Sequence, residues 1–285
     1  LPDYVSSETE MIMNAGMAVG HGLYDWNMPT YTGVDAETGQ AKYLAYYDAN
    51  LGSFGTGNSA DVLQATGKNG NNYISNVYEY RMKHPEADIQ TTEVTGYQSA
   101  YAGSDYIGKS AIPDFAGGFG IDLQAYGVTL SVTCSYGIGG WGYDNTYAQL
   151  MGSDKAGSYN WHKDMRNAWN RMMTDAEKEA IAAQGAAGIP RLSNGADRYA
   201  NMGSTRFLTS SSFLSLNNIR LGYTFPKKLI EKIKLNTLNI YVSADNLAIL
   251  SARKGFNPMA SFTSTTDSYQ YTPLSTIMGG VKFQF

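Results

Sequence analysis

Three stretches carry residue types whose spacing could do chemistry. The first is GIGGWG, Gly137 to Gly142, which satisfies G-x-G-x-x-G and has Asp164 further on, where a ribose-binding acid would stand. A dinucleotide site needs a buried parallel strand feeding a βαβ unit. The run before these glycines instead has a face of hydroxyls and belongs to a hairpin, so a glycine-rich strand end entering a loop is the better reading. The second is His162 in NWHKD, a residue type that ligates metals and moves protons. Its companions His21 and His84 are remote in sequence, and no H-E-x-x-H, G-x-S-x-G or EF-hand pattern occurs. An ordinary hydrogen-bonding loop histidine is expected. The third is Glu177 with Glu179, on a helix that reads as solvated. No catalytic, cofactor-binding or metal-ligating residue is therefore assigned, and no enzymatic activity is expected.

Aromatic residues offer another kind of chemistry. Trp141, Tyr143, Tyr147, Tyr159, Trp161 and Trp169 crowd one stretch of chain. Their faces could stack on sugars or anchor a partner. The plainer readings are loop packing and a girdle at a membrane interface, and these are favoured for any single ring. Trp141, Tyr143, Tyr147 and Trp161 are kept as candidates for ligand or partner contact.

Composition limits what could position these groups. The 285 residues are 16% charged, against about 25% in an average protein, and include 22 Tyr and 31 Gly. Few charges with many aromatics and glycines suit strands and turns. A net charge of −4 leaves no basic footprint for nucleic acid. The single Cys134 excludes an internal disulfide and any Cys-based zinc site. No apolar run approaches the roughly 20 residues of a membrane helix, which says nothing against a barrel of alternating strands. Leu1 opens the sequence without a signal peptide, so a processed or partial chain is expected.

Alternation locates the strands. Phe119, Ile121, Leu123 and Ala125 alternate with Gly120, Asp122 and Gln124. After a tight turn at Tyr126-Gly127, Val128, Leu130, Val132, Cys134 and Tyr136 alternate with Thr129, Ser131, Thr133 and Ser135. This predicts an antiparallel hairpin with one apolar and one polar face. Ile219 to Phe225 and Leu238 to Ala244 repeat the pattern, with a phase shift near Asn217-Asn218 that predicts a bulge. Ile277, Gly279, Val281, Phe283 and Phe285 alternate with Met278, Gly280, Lys282 and Gln284 to the last residue. Gly20 to Tyr31 and Ala41 to Asp48 read as strands around the turn VDAETGQ, and LGSFGTGNSADVLQATGKNGNN reads as loop. Thr174 with Glu177 forms a capping box for a helix that Gly185 ends, and Pro226 starts a short lysine-bearing helix in PKKLIEKIK. Connections alternate short and long: a turn, the stretch Gly137 to Ser210, the compact Pro226 link, then Ser251 to Leu274. Barrels of the bacterial outer membrane show that alternation, with short periplasmic turns and long outer loops.

Several ordered motifs resemble one family. IPDFAGGFGIDLQAYGVTLSV, NWHKDMRNAW, the run STRFLTSSSFLSLNNIRLGYTFPKKLIEKIKL, LNIYVSADNLAILSARKGFNP and GGVKFQF are similar to the C-terminal barrel of SusC/RagA-type TonB-dependent transporters of Bacteroidota. YTGVDAETGQAKY extends the resemblance to nearly the whole chain. The resemblance implies an all-β fold: the C-terminal strands of a 22-stranded antiparallel transmembrane barrel, with long extracellular loops containing short helices. Residues 1–285 are then part of one barrel domain, with room for about seven strands. The implied function is TonB-dependent import of a glycan or oligopeptide across the outer membrane. The implied partners are a SusD-like surface lipoprotein, TonB acting through a plug, the remainder of the transporter, the glycan or peptide ligand, and outer-membrane lipid with lipopolysaccharide. No cofactor is implied. Phe283 and Phe285 resemble the terminal signal for barrel assembly, and Phe285 is expected at the periplasmic edge.

Two readings compete with import. A secreted β-sandwich or adhesin would use the same strands and loop aromatics to bind carbohydrate, but would hide the apolar face against a second sheet. A passive porin would need no TonB.

Overall fold

The computed structural model describes residues 18–55, 72–152, 160–192, 200–259 and 274–285. Tyr159 and most of the loop expected between Leu51 and Asn72 lie outside the described residues. In chain order the first strands are β1 (Asp25–Pro29), β2 (Tyr31–Val34), β3 (Ala41–Asp48), β4 (Ile89–Thr95), β5 (Ser104–Ser110) and β6 (Pro113–Ala125). They are followed by β7 (Val128–Gly139), β8 (Trp141–Tyr143), β9 (Leu208–Ser210), β10 (Phe213–Thr224), β11 (Thr237–Ser251) and β12 (Thr276–Gln284). The chain divides into two units, one of Ala111–Gly142 with Thr209–Phe285, the other of Leu1–Ser110 with Tyr143–Leu208.

The first of these units is built on a five-stranded antiparallel sheet in the order β12-β11-β10-β7-β6. Its hairpin forms where the alternation placed it. Tyr126 (φ 50°) and Gly127 (φ 84°) both take positive φ, as a two-residue turn matched to strand twist requires. Gly127 is needed for a second reason. A Cβ there would meet the Thr224 carbonyl oxygen at 2.5 Å, and the Thr224 N–H donates to the Gly127 carbonyl at 2.7 Å. The phase shift near Asn217 is a bulge, with the register of β10 slipping between Leu216 and Asn218 against both neighbours. Among the described residues the outer strands β6 and β12 each have one neighbour in this sheet, and the sheet does not close on itself.

In the second unit, β2, β3 and β4 form a three-stranded sheet, and β1 pairs with β5. Its core is aromatic: Tyr31, Tyr43, Ala41, Ala45 and Val94 pack as one cluster. Further clusters gather Ile74, Val77 and Tyr80, then Val34, Trp169 and Ile181, then Ala148, Met151 and Phe207. The helix Asp175–Ala182 starts with the expected capping box of Thr174 and Glu177.

The structure corrects the strand reading in four places. The N-terminal strand begins at Asp25 rather than Gly20; Gly22 to Asp25 close a turn in which the Gly22 N–H donates to the Asp25 carboxylate. The strand expected to end near Ala244 runs to Ser251, crossing Asn246 at positive φ (50°). The large sheet holds five strands among the described residues, not about seven. β2 and β3 instead bury Tyr31 and Tyr43 in the aromatic core of the other unit. Finally, Gly137 to Ser210 is not one free loop. Its middle folds with the first hundred residues, because Tyr31 Oη donates to the Gly188 carbonyl (2.8 Å) and Trp169 Nε1 to the Ala36 carbonyl (2.9 Å).

Candidate functional site

The two faces of the five-stranded sheet differ in kind. Cross-strand register lines up Ile121, Val132, Ile219, Ala244 and Ile277 in one row, then Leu123, Leu130, Leu221 and Val242, then Ala125, Val128, Tyr223, Ile240 and Val281. Leu221 is 55% exposed and Val242 52% exposed, though they lie on central strands. Aromatic pairs stand at both ends of this face: Phe119 with Tyr136 at one, Tyr223 with Phe225 and Phe283 with Phe285 at the other. An apolar band with rings at its rims is the outward pattern of a membrane barrel. The 12 residues of β10 span about 40 Å at 3.3 Å each. Tilted by about 40°, they cover about 30 Å, enough for an apolar band of about 25 Å.

The alternate residues make the opposite face. Its rows are Gly120, Thr133, Asn218, Asp245 and Thr276, then Asp122, Ser131, Arg220, Ser243 and Met278, then Gln124, Thr129, Gly222, Tyr241 and Gly280. Asn218 Nδ2 donates to Asp245 Oδ1 at 2.5 Å, and the Arg220 guanidinium sits 4.0 Å from the Tyr241 ring centroid. The Tyr241 ring lies over Gly280, where any Cβ would collide with it. Asp122 and Asp245 balance Arg220 and Lys282. Such a surface carries hydrogen-bonding groups without a strong field of either sign.

At one end of the same unit a cavity of about 470 Å³ opens beside β11, past the point where β12 stops pairing at Thr276. Ser215, Asn246, Ile249, Lys254, Phe256 and Asn257 are among its walls. Gly142 of the GIGGWG run packs here, a Cβ at that position meeting the Phe256 ring at 2.5 Å. Gly137 likewise lies under the Phe213 ring. These glycines serve close packing at a strand end, as the hairpin reading expects.

The sequence-derived aromatic candidates separate. Tyr143 and Tyr147 meet edge-on around Phe207, with ring centroids 6.0 and 6.2 Å away. Tyr147 Oη donates to Asp164 at 3.0 Å. Trp161, 42% exposed, turns its Nε1 to the Gly152 carbonyl, and Trp169 is buried. Trp141 is half-buried in β8. His162 caps a short helical turn, its Nδ1 accepting the Asp164 N–H at 3.2 Å, which is loop hydrogen bonding as expected. Glu177 and Glu179 are exposed.

Sequence reasoning missed Arg206. Its guanidinium lies deep among Tyr31, Tyr43, Tyr143 and Tyr147 and donates to the Ala200 carbonyl at 2.6 Å and the Asn201 side chain at 3.2 Å. Burial pulls its pKa below the ordinary value, an effect that the neighbouring tyrosines oppose. Burial also pushes the Tyr31 phenol up to about 12, against the lowering effect of Arg206. A single Arg beside a Phe carries no signal in sequence, since its cage comes from three separate segments. Among the described residues no group of three or more His, Cys, Asp or Glu could hold a metal ion. No described helix is long and apolar enough to cross a membrane, which leaves strands open as the crossing element.

A sheet with one apolar face, aromatic rims and one polar face has the pattern of an antiparallel membrane-barrel wall. No family model matches the chain. In sequence it is 26% identical over 160 residues to the TonB-dependent receptor P3 of Formosa agariphila, a match covering 56% of this chain and 14% of that protein. In fold it resembles the RagAB peptide transporter, with TM-score 0.61 and 23% identity over 92% of this chain and 23% of the other. The RagAB peptide importer in its closed-closed and open-open states gives TM-score 0.64 in each case, at 22% and 21% identity. Each covers 97% of this chain, and 25% and 24% of the other. The chain thus spans about a quarter or less of the proteins it matches. Sequence and fold together bear out the resemblance to SusC/RagA-type TonB-dependent transporters.

Proposed function

We propose that this chain forms part of the wall of a TonB-dependent importer in the bacterial outer membrane, one barrel domain of 22 strands in the whole protein. The cargo is a glycan or oligopeptide. A SusD-like surface lipoprotein would cap the channel, and TonB would act through a plug. The observation that carries this reading is the exposed apolar face. Leu221 and Val242 sit in the middle of a sheet, yet more than half of each side chain is open. A sandwich would bury that face, so exposure argues against the adhesin reading. The reading assigns no chemistry to these residues; binding, followed by force on the plug, would drive import. Phe283 and Phe285 belong to it as an assembly signal, and Trp161 is the aromatic candidate best placed to meet a ligand. Fractionation of cells making the full-length protein tests the reading. Recovery in outer membranes after carbonate washing is expected, and recovery in the soluble periplasm would overturn it.

A further inference from the structure

The link between β10 and β11 has a composition that neither face of the sheet explains. Lys227–Ile230 form a helical turn and Glu231–Ile233 a 3₁₀ turn, closed by Lys234 in the left-handed conformation (φ 58°). Ile230 is buried and fixes the turn to its unit, and the Leu235 N–H donates back to the Ile230 carbonyl. The remaining apolar residues point away. Leu229 is 61% exposed and Ile233 60% exposed, four positions apart. Lys227, Lys228, Lys232 and Lys234 are exposed around them, and Glu231 is the one acid in the segment. Its contact with Lys227 is 4.0 Å long between two exposed side chains, too weak to neutralise the cluster.

Position gives this cluster a partner. The Thr224 bond to Gly127 and the Asn236 N–H bond to the Gln284 carbonyl (2.7 Å) place the hairpin turn, this link and the end of β12 at one rim. Tyr223, Phe225, Phe283 and Phe285 mark the same rim of the apolar face. Short connections lie on the periplasmic side of such barrels. Two apolar side chains framed by lysines at the edge of a lipid-facing band form a miniature interfacial anchor. From this placement we infer that the Lys227–Lys234 turn docks on anionic phospholipid headgroups of the periplasmic leaflet. Leu229 and Ile233 dip into the acyl boundary, and Lys227, Lys228 and Lys232 meet the phosphates. The inference rests on the barrel reading above and adds a lipid class and a contact surface to it.

The test reconstitutes the full-length transporter in phosphatidylcholine nanodiscs containing spin-labelled phosphatidylglycerol or spin-labelled phosphatidylcholine. Electron paramagnetic resonance then reads the motionally restricted fraction of each lipid. Wild type should restrict phosphatidylglycerol several-fold more strongly, with the difference shrinking as salt rises. K227Q/K228Q/K232Q, which leaves Lys234 and its backbone conformation alone, should bring the two lipids to parity. K163Q, exposed in the other unit, should leave the preference unchanged. Insertion of wild type with equal restriction of both lipids would overturn the anchor while leaving the barrel standing. Failure of wild type to insert would overturn both. A triple variant that keeps the wild-type preference would also overturn the assignment to these lysines.

Discussion

Leu221→Arg separates a membrane wall from a water-exposed sheet because Leu221 is already 55% exposed. In water, a polar residue at so open a site on a central strand changes stability by about 0.5 kcal/mol or less. In a bilayer the same position lies in the middle one of three apolar rows that run from Ile121 to Val281. An Arg near the midplane of a lipid-facing strand costs about 2–4 kcal/mol. At 1.4 kcal/mol per factor of ten, that is about 30- to 700-fold in the folding equilibrium. Gln124→Arg is the matched control, since it adds the same side chain to the polar face. The assay is folding of the full-length protein into vesicles, followed by guanidinium titration and the heat-modifiable band on gels. Leu221→Arg should lower the midpoint and the folded yield, whereas Gln124→Arg should leave both near wild type. Equal behaviour of the two variants would refute the assignment of the faces, whatever its direction.

Three predictions concern the other unit. Tyr31 is 1% exposed and its phenol is raised to about 12 from 10.0, so the neutral form stabilises the fold in full below pH 10. That contribution, roughly 2–3 kcal/mol, is lost as pH rises from 10 through 12. Tyr31→Phe should flatten this alkaline loss in a circular-dichroism titration while costing about 1–2 kcal/mol at neutral pH, because the Gly188 carbonyl loses its donor. Gly39 has φ 71° and lies against the Trp169 ring, so Gly39→Ala should destabilise this unit by about 2 kcal/mol or more, read as earlier tryptophan exposure on denaturation. Thr174→Ala should cost about 1 kcal/mol, seen as faster amide exchange over the helix Asp175–Ala182 with the sheet unit unchanged.

The difference between the two units explains what could be read in advance. In β6, β7, β10, β11 and β12 each side chain's surroundings are set by its parity along the strand, so a period of two in local sequence reports the face directly. The bulge at Asn217 was legible for the same reason, as a break in parity. The upper part of β11 was not, because Asn246 at positive φ shifts the alternation and Leu247 to Leu250 then read as an unbroken apolar run. In the other unit, burial depends on which distant segments meet. Tyr31 is fully buried, yet its partners are Tyr43, Thr205 and Gly188, and no window of sequence contains them. Trp169 was readable as an aromatic but not as the side chain that fills the space over Gly39. Arg206 is the extreme case: an isolated cation reads as surface, and only the convergence of Tyr31, Tyr43, Tyr143 and Tyr147 makes its burial tolerable. The Tyr31 and Phe207 rings supply faces in place of a counter-ion, and the Ala200 and Asn201 oxygens accept its hydrogen bonds. The residues expected to contact ligand were therefore drawn from a region whose aromatics mostly face each other. In the sheet unit, by contrast, the exposed rings Phe119, Tyr223, Phe283 and Phe285 stand on the apolar face, where strand parity alone could have pointed.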